Sequence, residues 1–404
     1  MLFRSQIWAV VSTPVLNMLR EEGFGAYFRS ALTADRLSFV GYAFVDDTDL
    51  LSVLEDQDAN YEQVADQMQK ALTAWEGGIR ATGGAIVPEK SHWYLIDFVW
   101  TDGYWRYASI DETPASILVR DADGNAKVLQ RLTASEARRT LGVRLAPDGN
   151  NTSEFEELIE KAVLWADLIR SGHLPRHLVW ESMNTTVLKS IQYSLPSTTL
   201  SHGQCWKIMS KLLQAALPGS GIVRTLPRDL VYGPLEFQGL AVPCLFTHQQ
   251  VEHILRLLKF CHSEDHLTAR LIRHSLEATK LEIGCKGPLL SRNYSDLGRL
   301  ATPTWITHTW EFLSNNGMSI NDDGPDFAAQ RENDQCLTDA FLRAGVSGDC
   351  LQRVNQKDIP TCCNSDRDRD GMRGICYKNG LGRASRQLAV FQIRLAGSRS
   401  PIFW

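Results

Sequence analysis

The stretch FVGYAFVDDTDLL, Phe39 to Leu51, decides how the first part of this chain is read. An almost unbroken apolar run delivers two adjacent carboxylates, Asp46 and Asp47, and then turns apolar again. Residues 37–45 and 48–54 are rich in β-favouring side chains, so the pattern predicts two strands joined at the acids. Runs this continuous suit strands buried on both faces. Asp is a good turn former, and acids at solvent-facing hairpin tips are common. The apolar flanks argue for more, because carboxylates beside buried strands cost solvation unless cations hold them. Mg2+ prefers one or two carboxylates together with waters and substrate phosphates, which makes Asp46 and Asp47 candidate ligands. Two such ions roughly 3.5–4 Å apart would clamp the attacking and leaving oxygens of a phosphoryl transfer.

Working outward, residues 7–30 read as a helix with a kink expected at Pro14. Downstream, Tyr61, Val64, Met68, Leu72 and Trp75 recur at three- and four-residue steps and predict a helix from Asn60 to Gly77. Gly77-Gly78 and Gly83-Gly84 read as stop and turn signals, and Trp93 to Trp100 as a strand. Asp123-Gly124 marks a hairpin turn, and the run RRTLGVRLAPDG a further short strand or hairpin edge before Asp148-Gly149 breaks it. From Ser153 the pattern becomes helical, with segments 153–171, 175–195, 202–216, 249–260 and 264–280 separated by Gly, Pro or Ser clusters. A boundary is therefore expected near residue 150. After about residue 350 the apolar periodicity fades, and the tail is expected to be poorly ordered.

The chain has 404 residues, enough for two or three modest domains, with a formal net charge of -5. The charge is uneven: residues 1–160 carry 14 Lys and Arg against 25 Asp and Glu, whereas residues 161–230 carry 8 against 3. A wholly basic nucleic-acid coat is excluded, so any such partner must be met locally. Nine cysteines without a C-x-x-C pair read as scattered reduced thiols of an intracellular protein. The opening run is interrupted by Gln6, Ser12, Thr13, Pro14 and Asn17, unlike a secretory signal, and no stretch is apolar enough to span a bilayer. The expected location is intracellular, nuclear or cytoplasmic, without secretion or a membrane partner.

The segment Phe44-Val45-Asp46-Asp47 resembles the aromatic-x-Asp-Asp box of reverse transcriptases, which lies on the central hairpin of their palm domain. The downstream order strengthens the likeness. A helix follows, then a turn, GGAIVPEK, ending at Lys90, then the Leu141-Gly142 hairpin, which is similar to the hairpin that grips the primer. Fragments such as PEKSHWYLIDF, LKSIQYSLPSTTLS and LPRDLVYGPLEFQGL resemble open reading frames of non-LTR (LINE-like) retrotransposons, and the resemblance spans roughly residues 6–310. It implies an α+β fold: a partial polymerase palm over 1–150, made of an antiparallel sheet with the Asp-Asp hairpin and helices. A mostly helical thumb-like region over 151–330 and a poorly ordered tail over 331–404 would follow.

By the same resemblance Asp46 is the main metal ligand for Mg2+ (or Mn2+) and Asp47 a weaker or outer ligand. Phe44, in place of the commoner Tyr, packs under the primer terminus, and Lys90 lies near the triphosphate of the incoming dNTP. Leu141 and Gly142 shape the primer-contacting hairpin. Lys189, Lys207, Lys211, Arg224 and Arg228, in the basic helical stretch, are candidate phosphate contacts for an RNA template and DNA primer. Each has a plainer reading as a solvated surface cation, and Lys90 as a solvated turn residue.

The departures from the family also matter. A reverse-transcriptase palm draws a further metal-binding Asp from an earlier strand, and a glycine-containing loop lies between the two. Here 45 residues precede Asp46, and Asp35, the one acid of that type before the box, sits too close to it. The resemblance therefore implies an N-terminally truncated RNA-directed DNA polymerase, inactive or weakly active by itself. The alternative is a non-catalytic nucleic-acid-binding or scaffold protein on the same fold.

Other motifs carry less. Cys261, His262, His266 and His253 match no common zinc spacing. The EF-hand-like run from Asp366 fails, because its twelfth position is Tyr377 where Glu is required.

Overall fold

The computed structural model describes residues 2–30, 32–33, 35–44, 47–54, 59–101, 104–260, 266–322, 324, 337–346 and 387–394. The chain is a mixture of helix and strand and divides into two compact units. The first comprises residues 1–137, 146–148 and 359–404, and the second residues 138–145 and 149–358. The hairpin around Leu141-Gly142 thus belongs to the helical unit rather than to the sheet-bearing one that the sequence assigned it to. No helix among the described residues is long and apolar enough to cross a membrane.

The first unit opens with helix α1 (Leu2–Glu21), with Pro14 inside it, and the short pair β1 (Ala26–Arg29) and β2 (Arg36–Phe39). The helix expected to run to residue 30 stops nine residues earlier, where Gly23 turns the chain with φ 81°. Strands β3 (Gly41–Phe44) and β4 (Asp47–Ser52) form the hairpin, in register from Gly41↔Leu50 to Phe44↔Asp47. The strand expected over 37–45 is therefore two strands, divided at Val40. Gly41 is the reason that β3 can lie where it does. A Cβ there would run into the Asp49 carbonyl oxygen, so any larger residue pushes β3 off β4. Gly41→Ala is expected to cost about 2–4 kcal/mol, in the range of backbone and overpacking defects. Urea denaturation followed by tryptophan fluorescence measures it, and a change under 0.5 kcal/mol would contradict the close approach.

The hairpin is not buried on both faces throughout. β4 is buried from Thr48 to Ser52, but β3 is an edge strand whose Tyr42 and Phe44 are 48% and 60% exposed. Helix α2 (Tyr61–Ala81) follows, begun by a capping box in which Asn60 and Gln63 satisfy each other's backbone N–H groups. It continues through Gly77-Gly78, the expected stop, because Gly78 lets α1 approach: a Cβ there would meet Val15 at 2.6 Å.

The chain then forms β5 (His92–Thr101), β6 (Tyr104–Tyr107), and β7 (Leu118–Arg120) with β8 (Ala126–Val128) about the Asp123-Gly124 turn. β9 (Gln130–Leu132) lies parallel beside the start of β5. Tyr61–Ala81 packs Val64, Met68, Leu72, Trp75 and Ile79 against Leu50, Trp93 and Leu95 of the sheet, with Val15 and Leu19 of α1.

In the second unit β10 (Arg138–Thr140) and β11 (Val143–Leu145) form a hairpin. Helices α3 (Thr152–Ser171), α4 (Arg176–Ser182), α5 (Leu188–Gln192) and α6 (His202–Gly219) follow. A π-helical turn, Met183–Val187, joins α4 to α5 within the single helix expected over 175–195. Next come α7 (Arg228–Tyr232), α8 (Leu245–Phe260), α9 (Leu267–Ile283), α10 (Tyr294–Leu297), α11 (Trp305–Asn315) and α12 (Leu337–Arg343). Two apolar cores hold them, one around Leu158, Ile191, Leu212 and Leu245, the other around Leu257, Leu276, Leu290 and Trp310.

The last described element is β12 (Gln387–Arg394), which returns to the first unit and lies between β4 and β5, antiparallel to both. The sheet order is β3-β4-β12-β5-β6. Most of 331–404, expected to be poorly ordered, lies outside the described residues, but α12 and β12 fall within it. The apolar run Leu388-Ala389-Val390-Phe391 and Ile393 gives β12 its strand character.

Candidate metal-binding hairpin and nucleic-acid surface

Asp46, the foremost candidate, lies outside the described residues together with Val45. Asp47 is the first residue of β4 and is half-buried, paired across the hairpin with Phe44. Strand geometry turns successive side chains to opposite faces, so the acid sharing a face with Asp47 is Asp49. Asp49 is only 4% exposed and hydrogen-bonds the phenol of Tyr42, its partner across the hairpin. Burial pushes its carboxyl up to about 6, the Tyr42 bond pulls it back, and the neighbouring charge of Asp47 raises it further. The Tyr42 phenol is likewise driven upward, by burial first and then by Asp49. Adjacency in the chain singles out Asp46 and Asp47, whereas the two-residue repeat of Asp47-Thr48-Asp49 in a strand is the signal for Asp49.

The register extends this row. Asp49 pairs with Gln392 of β12, and Gln392 with His92 of β5, which places His92 on the same face two strands away. At two strand spacings that is about 10 Å. His92 is buried and packs edge-on against Tyr94, with ring centroids 5.5 Å apart. Lys90 ends the short turn Pro88–Lys90, is exposed, and precedes His92 by two residues. β4 and β5 are both antiparallel to β12 and so run parallel, and Lys90 leaves the sheet at the end where Asp47 stands. Asp47, Asp49, Phe44, His92 and Lys90 are thus gathered at one end of one sheet. Aspartates 47 and 49 offer the hard oxygen donors that Mg2+ and Mn2+ take. Among the described residues no group of three His, Cys, Asp or Glu side chains converges as a metal site.

The other candidates belong to the second unit. Leu141 and Gly142, with φ of 49° and 88°, form the tight turn of the β10–β11 hairpin, a geometry of two left-handed residues. Tyr193 buttresses it: its hydroxyl donates to the Leu141 carbonyl at 2.8 Å, and a Cβ on Gly142 would meet its ring at 3.3 Å. Glu154 accepts from the Arg144 backbone N–H at 2.7 Å, and Glu157 binds the Arg144 side chain at 2.5 Å and Lys161 at 3.0 Å. The hairpin is therefore fastened to α3.

Lys207 and Lys211 lie one helical turn apart on the exposed stripe of α6, beside Trp206, which is 54% exposed. Lys189 is exposed one turn before Tyr193 on α5, Arg224 is exposed in the loop after α6, and Arg228, half-buried, starts α7. Lys161 and Arg170 are engaged in ion pairs with Glu157 and Asp167 on α3. Of the residues weighed for zinc, Cys261 and His262 lie outside the described residues. His253 is buried against Trp305 with its pKa pushed down to about 4 by burial, and His266 caps α9. The EF-hand-like run from Asp366 lies outside the described residues too.

No family model matches the chain, and no curated protein and no solved structure matches it either.

Proposed function

We propose that this chain is a polymerase-like palm and thumb related to the reverse transcriptases of non-LTR retrotransposons, taking an RNA template, a DNA primer and dNTP with Mg2+ or Mn2+. The observation that carries the reading is the hairpin end of the sheet. There Asp47 and Asp49 share one face, Phe44 stands exposed beside them, and Lys90 emerges at the same end.

A divalent ion held by Asp47 and Asp49, with Asp46 as the resemblance suggests, would supply Lewis-acid polarisation of phosphoryl oxygens. The chain's own groups do the rest. The exposed ring of Phe44 offers a platform for the sugar or base at a primer end, and the Lys90 ammonium balances triphosphate charge. On the second unit, Lys207 and Lys211 offer point charges to a phosphate backbone, and Trp206 offers a stacking face.

The activity proposed is weak. Among the described residues the carboxylates at this end of the sheet come from β4 alone, and the neighbouring strand QLAVFQIR has no acid. A two-metal site draws its ligands from more than one direction, so an ion held from one strand binds loosely. Mn2+ titration followed by electron paramagnetic resonance, with primer extension on a homopolymer RNA template, tests both halves. Weak Mn2+ binding that Asp47→Asn reduces at least fivefold, with extension at or near background, is the expected result. Mn2+ binding unaffected by Asp47→Asn would sink the site, and robust extension lost in Asp46→Asn would sink the weak-activity argument.

The second reading, a non-catalytic nucleic-acid-binding protein, is favoured by the Trp206, Lys207 and Lys211 stripe. Duplex affinity that falls steeply between low and physiological salt, without Mn2+ binding, selects it.

A further inference from the structure

The six-stranded sheet is completed by a strand from a distant part of the chain. β4, α2 and β5 form one β-α-β unit, yet its two parallel strands are not neighbours. β12 lies between them, in register with β4 from Ala389↔Ser52 to Arg394↔Asp47 and with β5 from Gln387↔Asp97 to Gln392↔His92. Between the end of β5 and the start of β12 the chain traverses the whole of the second unit. With β12 withdrawn, β4 and β5 would stand about 10 Å apart, too far to pair, each with a row of unsatisfied N–H and C=O groups.

We propose that the gap between β4 and β5 is a strand-receiving slot and that residues 387–394 are its exchangeable plug. The same segment supplied in trans occupies the slot in the same register. Three observations carry this, and none depends on the polymerase-like reading. First, β12 is held through two main-chain ladders, and such pairing does not require covalent continuity with the sheet; addition of an extended segment to open strands is a common mode of peptide recognition. Second, the segment QLAVFQIR contains neither Pro nor Gly, so each of its N–H groups is available to the ladders. Third, the pairing is continuous: six consecutive residues of β12 meet β4 and six meet β5, so a segment in the slot has a single register. The partner it fits is therefore an extended segment without Pro or Gly that can pair on both edges, and this chain's own strand is the occupant we assign.

Two measurements on the full chain test the slot. Hydrogen exchange should find the amides of residues 388–393 as protected as those of residues 93–97 in β5. Next, Val390→Pro is introduced into the full chain, since proline is not accommodated in a central strand. A fluorescent peptide of residues 386–395 should then bind the variant saturably and at least about tenfold more tightly than the unaltered chain, whose slot is filled. The same peptide carrying Val390→Pro should bind neither. Amides of 388–393 exchanging at the rate of an unstructured peptide would overturn the proposal. So would peptide affinity equal for the two chains.

Should the variant fail to fold, the full chain with a protease site placed in 347–386 is cut after folding. The released C-terminal piece should co-elute with the body and be displaced by excess labelled peptide. A piece that separates at once, leaving the body's melting curve unchanged, overturns the slot.

Discussion

Asp49→Asn is expected to stabilise the first unit by about 3 kcal/mol at pH 7.5 and to leave it unchanged at pH 3. The carboxyl is raised from 3.8 to about 6 by the fold, chiefly because it is buried. A group that holds its proton more tightly when folded favours the native state below its unfolded pKa, and that benefit is lost as the pH rises from about 4 through 6. A shift of roughly two units corresponds to about 3 kcal/mol, as an order of magnitude. Asparagine keeps an acceptor for the Tyr42 hydroxyl and removes the charge, so its stability should be flat across that window. A divalent cation in large excess should move the wild type at pH 7.5 part of the way toward the variant and do nothing for the variant. Denaturation at pH 3, 4.5, 6 and 7.5, with and without Mg2+, reads all of this. Parallel pH profiles for the two proteins would show that burial of Asp49 is not a source of strain.

Gln249→Ala in the second unit is expected to cost about 3 kcal/mol, although it removes no charge and little apolar surface. Gln249 is fully buried on α8, and its amide treats Leu200 as a neighbouring strand would. The oxygen accepts the Leu200 N–H at 2.9 Å and the nitrogen donates to the Leu200 carbonyl at 3.0 Å. Truncation strands both backbone groups away from water, at about 1–3 kcal/mol each, partly relieved by relaxation. Gln249→Glu separates the causes, because it keeps the acceptor and loses the donor. It should be destabilised as well, and more so at pH 8 than at pH 4, because burial disfavours a charged carboxylate. Chemical denaturation measures both, and an alanine variant within 0.5 kcal/mol of wild type would mean that water replaces the amide.

Much of the helical unit was legible from spacing alone. The apolar steps of 153–171 and 202–216 reappear as α3 and α6 within a few residues, since amphipathic helices are specified locally. The Asp123-Gly124 turn was legible from its residues, since Gly124 takes the left-handed backbone at φ 88°, whereas Leu141, also left-handed at φ 49°, gives no such local signal. What the sequence concealed is non-local. No local propensity announces that the apolar run divides at Val40, because the two sides of the break pair with different strands, β2 with β1 and β3 with β4. Helix α2 passes through two glycines because a second helix presses on Gly78, which a local propensity cannot register. The acidic row was half legible. Neighbouring acids stand out in a sequence, whereas a strand presents alternate ones on a face, and the pairing of Asp49 with Tyr42 is a cross-strand contact. Val45 and Asp46, on which the resemblance rests most heavily, lie outside the described residues.

The placement of β12 also fixes an order of events during synthesis. β4 and β5 leave the ribosome early, but the strand that joins them is made only after the whole helical unit. At about 5–20 residues per second the interval between β5 and β12 is on the order of tens of seconds. Throughout it, two apolar strand edges remain open on a nascent chain, the kind of surface on which chaperones act and from which aggregates start. The helical unit, built from sequence-local contacts, has time to fold first. The unit encoded first is therefore the unit completed last, and a chain terminated within residues 347–386 would lack the strand between β4 and β5 although both of those strands had been made.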